Sequence, residues 1–228
     1  MPASRQIPDL TFWLQWVLAN LLGELFGLGL VGSVGYTTVR VFGEPSSITH
    51  TLAFAALAIA LGAMEGAIVG YAQAKVLRRR LPQLRSWVAA TVVGAMVAWL
   101  LGMAPSTVMS LVAPASSEPP AELSDTLQLL LAAPLGLVAG AILGFPQWRV
   151  LRRHVARAGW WLVANALAWG CGMPLVFVAA GVRPTGTALF VVVVVAGSLA
   201  AAGAVVGAIH GAFLVRLLAA PTASRNAD

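Results

Sequence analysis

Gly62-Ala-Met-Glu65-Gly66-Ala-Ile-Val-Gly70-Tyr-Ala-Gln73-Ala-Lys75-Val-Leu77-Arg78-Arg79 recurs twice along the chain. Gly136-Leu-Val-Ala-Gly140-Ala-Ile-Leu-Gly144-Phe-Pro-Gln147-Trp-Arg149-Val-Leu151-Arg152-Arg153 is the second copy. The third, Gly203-Ala-Val-Val-Gly207-Ala-Ile-His210-Gly211-Ala-Phe-Leu214-Val-Arg216, has lost its Gln and its terminal arginines. Each is an apolar run with Gly at every fourth position and a basic residue five places after the last Gly. Residues four apart share one face of an α-helix. In so apolar a setting, the stripes Gly62/Gly66/Gly70, Gly136/Gly140/Gly144 and Gly203/Gly207/Gly211 predict seams where membrane helices pack closely.

The composition agrees with that reading. Of 228 residues, 59% are hydrophobic and 10% charged, and the mean hydropathy is +0.86, too little polar surface for a water-soluble domain of this size. Runs long enough to cross a bilayer, about 20 residues each, fall at 11–33, 51–74, 86–109, 126–148, 160–181 and 186–218. The predicted fold is all-α, with six transmembrane helices in a single membrane domain, 1–228, and a disordered tail, 221–228.

The odd-numbered spans repeat as well. Trp16-Val-Leu-Ala-Asn20 matches Trp161-Leu-Val-Ala-Asn165, and more loosely Trp87-Val-Ala-Ala-Thr91. The unit is therefore a hairpin, with a helix that enters on Trp and a glycine-striped helix that returns to a basic end. Three units, 10–80, 81–157 and 158–220, have the same orientation because each holds two spans. Such parallel repeats imply a bundle with pseudo-threefold symmetry about the membrane normal.

Charge sets the orientation. Twelve Lys and Arg fall on the side of both termini, against two, Arg40 and Arg183, on the other, so the N- and C-termini are expected in the cytoplasm. The basic loops are placed against anionic lipid headgroups, and the net charge of +6 is not read as a nucleic-acid footprint. No removed signal peptide is expected before the first span. Gly43-Glu-Pro45-Ser-Ser reads as a tight turn, and 113–122 as a mobile outer linker. Trp13 and Trp16 read as interfacial anchors, Gln73 and Gln147 as interfacial or capping groups, and Cys171, the only cysteine, as a small buried hydrophobe.

The repeat also sorts residues. Asn20, Asn165 and Thr91 occupy one repeat position and are explained by shared architecture. Glu24, Glu65 and His210 are unmatched: their counterparts are Trp169 and Ala95, Ala139 and Val206, and Val69 and Leu143. Helical-wheel positions aim all three into the bundle. At about 1.5 Å per residue, Glu24 and Glu65 lie about 15 Å from the cytoplasmic boundary, near the middle of a core about 30 Å thick. His210 lies about 9 Å in.

A mid-membrane ionisable group is costly and marks a functional site by default. Two carboxyls at one depth on adjacent helices, out of water and repelling each other when both ionised, make a site that exchanges a proton or accepts a cation. Three readings follow. In the first, Glu24, Glu65, His210 and Asn20 form the proton, cation or substrate site of a small-solute transporter or channel-like protein. The second is a scaffold, sensor or accessory subunit that holds a membrane-protein partner, or a second copy of itself, through its glycine seams. The third is an intramembrane acid/base enzyme. The phosphate-loop, zinc-protease and nucleophile-elbow motifs do not occur, and the spacing of Glu24, Glu65 and His210 carries no metal signature. No cofactor is implied, and no catalytic residue is assigned.

Gln147-Trp-Arg149-Val-Leu-Arg152-Arg153 and Ala158-Gly159-Trp160-Trp161-Leu-Val-Ala-Asn165 resemble a group of uncharacterised bacterial multi-span proteins built from such hairpins, over about residues 10–218. The resemblance implies a bacterial inner-membrane protein and supplies no activity. Three-hairpin construction also looks like the mitochondrial solute carriers, but their signature of Pro, acid and base at the end of each odd helix is missing.

Overall fold

The computed structural model describes residues 10–82, 84, 86–112, 123–182 and 187–219. The linker at 113–122, the tail at 221–228 and the segment before Leu10 lie outside the described residues. The described chain forms six helices, α1 Leu10–Phe42, α2 Ile48–Leu77, α3 Trp87–Val112, α4 Asp125–Leu151, α5 Trp160–Ala180 and α6 Ala188–Ala219. All six contain a stretch long and apolar enough to cross a bilayer, and no strand occurs among the described residues. This is the all-α architecture of a multi-pass membrane protein.

Helix α1 runs well past the expected end at 33. The polar run that looks like an exit satisfies itself inside the helix, because Ser33, Thr37 and Thr38 donate their hydroxyls to the carbonyls of Gly29, Ser33 and Val34 at 2.7, 2.8 and 2.8 Å. Back-bonding of this kind hides a hydroxyl from apolar surroundings. The helix stops at Gly43, whose φ of +76° suits a residue without Cβ. Ser47 then caps α2 by accepting from the His50 N–H at 3.2 Å, and Ser124 caps α4 from Leu127 at 3.3 Å.

Each helix packs on the next in sequence, and α6 closes on α1, so the six form one ring. The glycine stripes face particular neighbours. A Cβ built on Gly66 would meet Ala95 at 2.8 Å, and one on Gly70 would meet Thr91 at 2.9 Å, both on α3. One on Gly144 would meet the Asn165 side chain at 2.7 Å, and Gly136 and Gly140 lie against the Trp169 and Asn165 carbonyls, all on α5. One on Gly203 would meet the Asn20 carbonyl at 2.6 Å, and one on Gly207 Val17 at 2.9 Å, both on α1. These contacts join α2 to α3, α4 to α5 and α6 to α1. They therefore fall between the hairpin units expected from the sequence rather than between the two helices inside one.

Packing is uneven along the bundle. One core cluster gathers Phe12, Trp16, Leu77, Leu84, Trp87, Leu151, Trp161, Leu214 and Leu217 at the end where α1, α3 and α5 begin and α2, α4 and α6 finish. Lys75, Arg78, Arg79, Arg80, Arg149, Arg152, Arg153 and Arg216 ring that end. There Arg79 donates to Gln15 at 2.7 Å, and Arg152 lies 5.0 Å over the Trp148 ring. At the far end α1 buries nothing beyond Gly27 and α6 nothing before Leu199. Gly29, Gly32, Gly35, Gly102 and Gly197 have no atom within 4 Å of an added Cβ.

Gly32→Ala is therefore expected to stabilise the protein slightly, by about 0.5–1 kcal/mol from the lower backbone entropy of Ala in a helix. A rise in the midpoint of thermal unfolding in detergent checks this; a clear fall would place a neighbour at Gly32.

Candidate functional site

Three layers are stacked inside the ring, beginning at the basic end. The first is aromatic. Trp16 of α1, Trp87 of α3 and Trp161 of α5 are fully buried and meet edge to face, with ring centroids 6.4, 6.1 and 5.7 Å apart. Trp16 is thus not the interfacial anchor expected from its place near the chain start. Its ring turns inward on the first turns of α1, and the triad gives it the offset contacts that aromatic quadrupoles favour. Trp13, three residues earlier, stays partly exposed and donates to the Ala208 carbonyl at 3.0 Å.

The second layer is a polar network that includes the repeat's shared residues. Gln73 donates to Asn20 at 2.9 Å and accepts from the Trp87 indole at 3.1 Å. Gln147 accepts from the Trp161 indole at 3.0 Å and donates to Thr91 at 2.9 Å and to Gln73 at 3.3 Å. Asn20 and Asn165 each donate to the carbonyl one turn back, on Trp16 and Trp161, at 2.8 Å. Gln73 and Gln147 are buried, which corrects their reading as interfacial or capping groups. The physical reason is the indole. A Trp N–H turned into an apolar bundle needs an acceptor, and each Gln on the neighbouring helix supplies one. The signal was present in the sequence as a Gln to Trp interval of 14 that occurs twice.

The third layer holds the unmatched ionisable residues. Glu24, Glu65 and His210 are 2%, 8% and 2% exposed, and all three line one cavity of about 30 Å³ to which every helix contributes. Asn20, Gln73, Thr91, Gln147 and Asn165 line it too. Glu65 packs against α1 one turn beyond Glu24, since a Cβ on Gly27 would meet the Glu65 Cγ at 3.0 Å. Among the described residues neither carboxyl bonds to the other or to Asn20. Glu65 Oε2 accepts from the Trp99 indole at 2.7 Å, and Trp99 in turn lies on Gly62. No sequence pattern announces Trp99, whose counterparts at that position of the expected repeat, Met173 and Leu28, are not aromatic.

Among the described residues, Glu24 Oε2, both His210 ring nitrogens and Trp16 Nε1 are buried without a hydrogen-bond partner. The His210 ring lies 4.9 Å from that of Trp161. Among the described residues no three His, Cys, Asp or Glu side chains converge to hold a metal ion. Cys171 is exposed on the outer surface of α5, which corrects its reading as a buried hydrophobe: its neighbours Gly170 and Gly172 take the faces that pack on α4 and α6, leaving Cys171 turned outward.

No family model, curated protein or solved structure matches this chain. The chemistry of the cavity therefore has to be read from its own residues. Two carboxyls, one imidazole and five neutral polar side chains surround a space that holds two or three waters, at about 10–15 Å³ of such volume per molecule. That is room to move a proton or a small cation, and too little to hold an organic solute.

Proposed function

We propose that this chain is a bacterial inner-membrane transporter or channel-like protein. Its Glu24/Glu65 centre, with His210 and Asn20, takes up and releases a proton or small cation. Three like-oriented hairpins around a pseudo-threefold axis would supply the frame, with both termini and the basic loops in the cytoplasm against anionic headgroups. The observation that carries this reading is the shared cavity. Both acids, drawn from two helices, open onto one small space that His210 and five neutral polar side chains also line. The tryptophan layer closes the bundle on the basic side, while the far halves of the helices are loosely packed. Together these support one-sided access in this conformation, with release to the basic side requiring the tryptophan layer to part.

The scaffold reading through glycine seams is weighed against by the contacts of those glycines. The packed members of Gly62/Gly66/Gly70, Gly136/Gly140/Gly144 and Gly203/Gly207/Gly211 are taken up inside the chain's own ring, which leaves them no surface for a partner. An acid/base enzyme needs room for a substrate beside its carboxyls, and about 30 Å³ does not provide it.

The test is proton flux in proteoliposomes under an imposed pH gradient, read with a trapped dye. Wild-type protein is expected to carry flux, and Glu24→Gln and Glu65→Gln are each expected to remove most of it while leaving expression and the unfolding midpoint in place. Flux at the wild-type rate in both variants, or none above empty vesicles in the wild type, would discard the proposal.

A further inference from the structure

The turn that feeds α5 holds the one non-glycine residue with a positive φ among the described residues, Arg157 at 61°. That conformation crowds a Cβ against the backbone and is adopted freely only by glycine. The turn brings the Arg157 carbonyl to the Trp160 N–H at 3.1 Å, and the next two N–H groups, of Trp161 and Leu162, close on Ala158 and Gly159 at 2.9 and 3.1 Å. A glycine at 157 would form the same bonds without the strain. The turn therefore does not explain the arginine.

Arg157, Gly159, Trp160 and Val163 line an open groove on the outer surface at the basic end. Nothing lies within 4 Å of a Cβ built on Gly159. Trp160 and Val163 are exposed, as is Leu167 one turn deeper on the same face of α5. The Trp160 ring packs on Phe213 of α6, with centroids 6.4 Å apart. Arg216 follows Phe213 by three residues, so it stands on the same face of α6, about 4.5 Å nearer the basic end. At this end Arg79 bonds Gln15, and Arg80 and Arg152 lie over the rings of Phe12 and Trp148. The exposed Arg157 side chain has no hydrogen bond or ion pair among the described residues.

We propose that this groove binds one anionic phospholipid, its phosphate on Arg157 and an acyl chain along Trp160, Val163 and Leu167. The inference rests on the placement of the basic loops against headgroups in the reading above, narrows it to a single site, and does not depend on what the cavity carries. Six membrane-long apolar helices turn this outer surface toward lipid. Trp160 opens α5, at the level where indoles settle between headgroups and chains. A guanidinium offers a phosphate two parallel N–H donors, a fork that an ammonium lacks. The first N–H groups of α5 are already bonded within the turn, so the helix end does not compete for the anion. The apolar strip below Arg157 is what favours a lipid over a soluble phosphate.

Native mass spectrometry of the protein in detergent, titrated with phosphatidylglycerol, measures binding of the first lipid. Arg157→Gly is expected to weaken it about tenfold, as for the loss of one hydrogen bond to a charged group. The same variant is expected to unfold no earlier than wild type in lipid-free detergent, because the backbone strain is gone. Arg78→Gln, which removes equal charge from another loop, is expected to bind like wild type. Val163→Trp fills the groove while keeping both arginines, and is expected to weaken binding to a similar degree as Arg157→Gly. It provides a measurement that leaves the turn untouched.

A merely structural role for Arg157 predicts earlier unfolding of Arg157→Gly with lipid binding unchanged. Equal weakening in Arg157→Gly and Arg78→Gln would reduce the effect to general attraction toward the basic end and overturn the site. Wild-type binding in Val163→Trp, equal affinity for phosphatidylcholine, or displacement of the lipid by inorganic phosphate at the same concentration would overturn it too. If the wild type shows no preference for phosphatidylglycerol at all, the headgroup placement falls with the site. Proton flux in the glutamate variants bears on none of these outcomes, so the transport reading and this one fail separately.

Discussion

Gly140→Val is expected to destabilise the protein by about 3 kcal/mol or more, the upper range for forcing extra atoms into a packed interior. An added Cβ at Gly140 would run into the Asn165 carbonyl oxygen and stand 2.8 Å from its carbon and 2.9 Å from Trp169 Cβ. The first two obstacles are backbone in the second turn of α5, so no rotamer change relieves them and the two helices must separate. Separation is costly here because helix association in a bilayer gains little from hydrophobicity, lipid being as apolar as the side chains, and depends on close van der Waals contact. It would also displace Asn165 from the polar network just beneath the tryptophan layer. Thermal unfolding in detergent measures the effect, with Gly32→Val as the control, since a Cβ at Gly32 meets nothing within 4 Å. Equal midpoints for the two variants would mean that α4 and α5 do not pack through Gly140.

The same glycine shows how far the sequence could be read. A stripe at every fourth residue in an apolar run announces six membrane helices and a close helix contact, because helical period and residue size are local properties of the chain. It does not announce which helix the stripe faces. The hairpin unit suggested by the repeat pairs α1 with α2, whereas the contacts of Gly66, Gly140 and Gly207 join α2 to α3, α4 to α5 and α6 to α1. That choice is made by three-dimensional closure of the ring, which no local pattern encodes.

The site was legible to the same degree. Glu24, Glu65 and His210 stand out because a repeat makes any unmatched ionisable residue visible, and the structure places all three on one cavity. The neutral residues around them were harder to recognise. Gln73 and Gln147 lie a few residues from Lys75 and Arg149, so linear position suggests the interface. Only the inward turn of the Trp87 and Trp161 indoles shows that each Gln is an internal acceptor. Trp99 left no trace, because its bond to Glu65 crosses between helices and belongs to no repeated spacing.

Trp161→Ala is expected to have the larger combined effect on stability and on the seal at the basic end. Trp161 is fully buried, with ring centroids 6.1 Å from Trp16, 5.7 Å from Trp87 and 4.9 Å from His210. Truncation removes the contacts of a large ring and leaves a void, for which about 3 kcal/mol is expected from large-to-small substitutions in packed interiors. It also strips the Gln147 carbonyl oxygen of its indole donor. Trp161→Phe separates these effects. It keeps an aromatic ring in the triad and loses the N–H, so a loss of about 1 kcal/mol, that of one hydrogen bond, is expected. On the transport reading, the triad is what keeps water in the cavity from the basic end, and a hole at Trp161 joins the two. Proteoliposomes with Trp161→Ala are therefore expected to pass protons faster than wild type, and those with Trp161→Phe at the wild-type rate. If Trp161→Ala is as stable as the parent and no leakier, the triad is neither a packing centre nor a barrier, and the proposed direction of access to Glu24 and Glu65 loses its support.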